Sequence, residues 1–67
     1  MEVLKERTIG IYTVTLTEEG QERGDTYYRI RLKHWSIVKA KTTNDKKYAI
    51  GIFNYYVRIA KKRYANL

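Results

Sequence analysis

Sixty-seven residues without cysteine or proline, 13% aromatic and carrying a formal net charge of +7, allow one small basic domain over residues 1–67. They exclude a disulfide-stapled scaffold and a thiolate metal site. A chain this short buries only ~60% of the surface its unfolded form exposes, so its thin core rests on apolar packing, with homodimer formation as a further source of stability.

The segment Met1-Glu2-Val3-Leu4-Lys5-Glu6-Arg7 is charged and lacks the apolar stretch of a signal peptide. Arg7 to Thr17 reads as a strand, being rich in β-branched residues and tyrosine. Its alternation slips in the middle. Ile9 and Ile11 share one face while Tyr12, Val14 and Leu16 share the other, which predicts a bulge near Tyr12 or a strand apolar on both sides. Glu18 to Asp25 is a polar connection with glycines at 20 and 24. Its acids lack the alternating oxygen ligands of a calcium loop, so no metal site is expected.

Thr26 to Thr42 is the most informative stretch. Period-two alternation puts Tyr28, Ile30, Leu32, His34, Ser36, Val38 and Ala40 on one face of a second strand. The opposite face receives Tyr27, Arg29, Arg31, Lys33, Trp35, Ile37, Lys39 and Lys41. One face is mainly apolar; the other carries five cations with aromatics among them. Thr43-Asn44-Asp45-Lys46 is a turn signal, and Lys47 to Phe53 reads as a third strand with Gly51 inside it. From Asn54, a reasonable N-cap, the period changes. Tyr56, Ile59, Ala60, Arg63, Tyr64 and Leu67 follow helical spacing. The expected fold is therefore α+β, a three-stranded antiparallel sheet packed against one C-terminal helix (β-β-β-α). The longest apolar region, Tyr48 to Ala60, contains Asn54 and Arg58 and falls short of the ~20 residues that span a bilayer. The expected location is the cytoplasm, with no membrane partner.

Charge is divided unevenly along the chain. Residues 1–25 hold six acids and three bases, whereas residues 26–67 hold eleven bases and one acid, Asp45. Such segregation costs a compact fold through self-repulsion and points to a polyanionic partner.

The order strand-strand-strand-helix resembles the arm-type DNA-binding domain of phage tyrosine integrases and the plant ethylene-response-factor type of domain. Carrying the resemblance are Trp35-Ser36-Ile37-Val38-Lys39, then Lys47-Tyr48-Ala49-Ile50-Gly51-Ile52-Phe53, then a helix from Asn54 with Ala60 on its inner side. In those families an aliphatic-Gly-x-aromatic segment ends the third strand, and a small residue seats the helix. They turn just before the tryptophan, whereas Leu32-Lys33-His34-Trp35 has no turn residues. The resemblance implies that the exposed sheet face enters the major groove of DNA.

Chemistry on a substrate is not expected. The chain has one histidine and no cysteine, and no two cooperating groups stand where a general acid–base pair needs them. It has no phosphate-cradling glycine loop and no expected cofactor. The expected function is nucleic-acid binding, DNA favoured over RNA, in a phage or mobile-element accessory factor. The candidate contacts are Arg29, Arg31, Lys33, Lys39 and Lys41 on the strand face and Tyr27 and Trp35 beside them. Lys46 and Lys47 add to these at the following turn. Arg58, Lys61 and Lys62 on the helix are either phosphate contacts or a solvated face. The rival expectation is a small regulator that docks on an acidic protein partner.

Overall fold

Tyr12, Val14 and Leu16 alternate with Thr13, Thr15 and Thr17, and Ile30 and Leu32 alternate with Arg29 and Arg31. β-Branched and aromatic residues at period two specify half-buried strands, and these segments lie side by side at the centre of the sheet. The computed structural model describes residues 1–20 and 24–65. Strands β1 (Glu2–Ile9), β2 (Tyr12–Gly20), β3 (Thr26–His34) and β4 (Ser36–Thr43) precede one helix, α1 (Lys46–Ala65). The strands form one antiparallel sheet in the order β1-β2-β3-β4. The α+β class and the C-terminal helix agree with expectation, but the sheet has four strands rather than three.

Three local events account for the difference. First, the stretch read as a strand from Arg7 to Thr17 is folded back on itself. Ile9 pairs with Tyr12, leaving Gly10-Ile11 as a two-residue connection with Gly10 at a φ of 60°. A left-handed first residue followed by an ordinary one is the pattern of a type II′ hairpin, and glycine adopts it without steric cost. The slip in alternation at Ile11 is this turn.

Second, the long strand read from Thr26 to Thr42 reverses at Trp35, the one non-glycine residue with positive φ among the described residues, at 64°. His34 and Ser36 pair across it. Two hairpin turns therefore sit at the same end of the sheet.

Third, Lys47–Phe53 is helix. Asp45 caps α1: its Oδ1 accepts from the backbone N–H groups of Lys47 at 3.0 Å and Tyr48 at 3.3 Å. Its own N–H donates to the Thr43 hydroxyl. The first helical bond runs from the Ala49 N–H to the Asp45 carbonyl. Asp45, not Asn54, starts the helix, and the aliphatic-Gly-x-aromatic segment Ile50–Phe53 lies within α1 rather than at a strand end.

The core lies between one face of the sheet and the inner stripe of α1. Tyr12, Val14 and Leu16 of β2 and Ile30 and Leu32 of β3 meet Ala49, Ile52, Phe53, Tyr56, Val57 and Ala60. The helical positions recur at three and four, as a single packed face requires. Ala49 and Ala60 are fully buried and let the helix axis approach the sheet, as expected for Ala60. Burial of each large aliphatic side chain is worth ~1.5–3 kcal/mol. Helix α1 lies chiefly over β2 and β3 and only marginally over the two edge strands. Of the polar connection read over 18–25, Glu18 to Gly20 extend β2. Gln21, Glu22 and Arg23 lie outside the described residues, as does Leu67.

Candidate nucleic-acid interface

Residues paired across an antiparallel ladder point to the same side of the sheet. Leu32 pairs with Lys39 and Ile30 with Lys41, so both lysines stand on the side that carries α1. Arg31 pairs with Ala40, Arg29 with Thr42 and Lys33 with Ile37, which puts Arg29, Arg31 and Lys33 on the opposite, uncovered side. The single cationic face expected from the sequence is therefore split in two. A bulge causes the split. The register shifts between Leu32 and Lys33, where Val38 is the extra residue, and one extra residue sends every later side chain to the other face.

On the uncovered side the charge is largely compensated. Glu19 lies 3.3 Å from the Arg29 guanidinium and 3.8 Å from that of Arg31, with its side chain only 15% exposed. The Thr17 hydroxyl donates to the same carboxylate. Arg29 also donates to the Tyr27 hydroxyl and lies over the Tyr27 ring at 5.7 Å. That ring is thus engaged on one face. Thr13, Thr15 and Thr17 fill the neighbouring row, opposite Lys33, Arg31 and Arg29. Lys33 is the exposed cation of this face.

The helix side is different. Lys41 Nζ donates to the Tyr48 hydroxyl at 3.2 Å and lies 5.4 Å from the ring centre. This contact fixes which flank of α1 faces β4. Burial raises the Tyr56 hydroxyl above its ordinary pKa, and the Lys41 charge opposes that rise. Along this flank Tyr48, Ile52, Tyr55, Ile59 and Lys62 recur at alternating spacings of four and three, one continuous line on a helix.

Two adjoining concavities follow that line. One of about 530 Å³ is lined by Asp45, Lys47, Tyr48, Gly51, Ile52 and Tyr55. The next, of about 300 Å³, is lined by Tyr55, Arg58, Ile59 and Lys62. Tyr55 belongs to both. Tyr48 and Tyr55 are each about half exposed, and no side chain stands between Gly51 and solvent. Lys46 shares instead the helix face of Phe53, over whose ring Lys5 lies, and is apart from the groove.

From Ser36 to Ala65 the chain carries eight cations and one acid. That acid, Asp45, is committed to the helix cap. Among the described residues the ion pairs are those of Glu19 with Arg29 and Arg31, so the cations of β4 and α1 have no carboxylate partner there. Lys46 and Lys47 also occupy the first turn of α1, which has no acid, although the helix dipole disfavours cations at that end.

The β3–β4 turn stands at the opposite end of β4 from the start of α1. Trp35 is 92% exposed. Its ring lies 4.5 Å from that of His34, which in turn lies 5.1 Å from that of buried Tyr12. The His34 Nε2 is buried without a hydrogen-bond partner. Ile11, Ile37 and Val38 are exposed at the same end of the sheet.

Of the residues expected to form one surface, Lys39 and Lys41 stand on the side of β4 that carries α1, and Lys47 lines the first concavity along α1. Arg29, Arg31, Lys33 and Tyr27 occupy the other side. Sequence reading missed Tyr48 and Tyr55 as candidates, and it left Arg58 and Lys62 undecided. The four-three spacing from Tyr48 to Lys62 was the available signal, hidden because Lys47–Phe53 alternates like a strand. No family model, no characterised protein and no solved structure matches the chain. Among the described residues, no helix is long and apolar enough to cross a membrane.

Proposed function

We propose that this chain is a nucleic-acid-binding module whose contact surface is the α1–β4 side rather than the uncovered sheet face. The observation that carries the reading is the concentration of unpaired cations there, beside a groove lined with half-exposed tyrosines. Lys39, Lys41, Lys47, Arg58 and Lys62 supply phosphate contacts, and a polyanion near Lys47 relieves its unfavourable position at the positive end of α1. Tyr48 and Tyr55 offer flat apolar faces beside those charges. No bond-making or bond-breaking role is assigned to any residue.

The test is a fluorescence-anisotropy titration with labelled duplex DNA, single-stranded DNA and RNA at several salt concentrations. Affinity is expected to fall steeply with salt, with a slope of ~0.9 per phosphate neutralised on duplex DNA. Lys41→Glu with Arg58→Glu is expected to abolish binding, while Arg29→Gln with Arg31→Gln weakens it only modestly. The reverse ranking assigns the contact to the uncovered face. Failure to bind any of the three at low salt sinks the reading and leaves an acidic protein partner, for which the same tyrosines and cations are suited.

A further inference from the structure

Trp35 is not explained by folding. A residue with a Cβ in the left-handed region costs roughly 1–2 kcal/mol, and glycine or asparagine is the usual occupant of such turns. Here the position holds the chain's one tryptophan, and the ring recovers almost nothing by burial. A bulky aromatic kept exposed in an unfavourable backbone conformation is an outlier of the kind that accumulates at binding sites.

The surroundings suit a flat ligand. Tyr12, His34 and Trp35 form a run of neighbouring rings that begins in the core and ends in solvent. The inner members hold the outer ring, and its far face is open to continue the run. His34 belongs to the side of the sheet that carries α1, since its ring reaches Tyr12, and Lys39 and Lys41 stand on that same side. Lys33 and Lys39 pair with residues on either side of the turn. Tyr27, the other aromatic candidate of β3, is already covered by Arg29.

We infer that Trp35 is a stacking platform for an unpaired base of a single-stranded nucleic acid, whose phosphates meet the cations of β4 and α1. This rests on the proposed function. The bases of a duplex are already stacked on one another, and the apolar wedges that pry them apart are mostly narrow. Single strands leave each base face available to an aromatic ring, and stacking of this kind tolerates any sequence.

Because Trp35 is the only tryptophan, its own emission reports on the site. The protein is titrated with an oligodeoxythymidine, with a matched duplex and with phosphatidylserine vesicles, following anisotropy and tryptophan emission together. The expected result is tighter binding of the single strand than of the duplex, with quenching of Trp35. Trp35→Ala is expected to bind the single strand roughly five- to a hundredfold more weakly. Trp35→Phe should retain most of the affinity, and circular dichroism should show both variants folded. Equal binding by Trp35→Ala, or binding without quenching, overturns the platform while leaving nucleic-acid binding intact. Failure to bind either nucleic acid overturns both. A blue shift on vesicles with no response to the oligonucleotide overturns both in favour of a lipid surface.

Discussion

Two turns close the same end of the sheet, and the backbone enters the left-handed region at nearly the same φ in each, 60° at Gly10 and 64° at Trp35. They are filled in opposite ways. Gly10 has no side chain, and its surface is covered by the Tyr64 ring from the last turns of α1; a Cβ there would run into that ring. Trp35 has the largest side chain available and stays almost wholly exposed, with the His34 ring beside it. The first turn satisfies conformation and packing at once. The second satisfies neither, the contrast that the proposed stacking role of Trp35 predicts.

Substitutions at the two turns can break this contrast. The largest effect is expected from Gly10→Ala, which combines a left-handed φ with a collision against Tyr64. The loss should be about 2–4 kcal/mol, lowering the melting temperature by ~10 °C or more in a domain of this size. An unchanged melting curve would show that the turn and the helix end adjust freely, and the contrast would fail. Trp35→Gly should leave stability within ~1 kcal/mol of the parent, since relief of the φ cost offsets the added freedom of the unfolded chain. The same variant should lose single-strand affinity, separating stability from binding in one protein. Gly51→Ala should raise stability by about 0.5–1 kcal/mol, because this glycine sits mid-helix with open space around it and an ordinary φ. A loss instead would mean that the backbone at Gly51 is closely approached. The smallest effect is expected from Tyr64→Phe, within ~0.5 kcal/mol, since the ring and not the hydroxyl covers Gly10. Thermal melts followed by circular dichroism measure all four.

The apolar half of the molecule was readable from sequence because alternation and burial agree there. Tyr12, Val14, Leu16, Ile30 and Leu32 all lie where period two puts them. The turn at Gly10 left its trace in the slip between Ile11 and Tyr12, but a bulge leaves the same trace, and the flanking isoleucines favour a strand either way. The turn at Trp35 left none, since a single connecting residue preserves parity from His34 to Ser36 and tryptophan itself favours strands. The bulge at Val38 was equally silent, and it alone moved Lys39 and Lys41 to the other side. In α1, Ala49, Ile52, Phe53, Tyr56, Val57 and Ala60 carry a continuous helical period behind an Asp45 cap. Tyr48, Ile50 and Ile52, with Gly51 between them, imitate a short strand strongly enough to mask its first turns. The candidate groove was therefore legible in its charges but not in its shape.

The contact between Gly10 and Tyr64 has a consequence for synthesis on the ribosome. The β1–β2 hairpin is made before the ring that covers its turn and before the helix face that covers Tyr12, Val14 and Leu16. Until α1 appears, the apolar side of a nascent two- or three-stranded sheet has no cover, and small hairpins alone are at best marginally stable. In that order the core residues of β2 and β3 gain their cover only when α1 arrives. During that interval, the exposed strand face is the part most open to a chaperone or to another nascent chain.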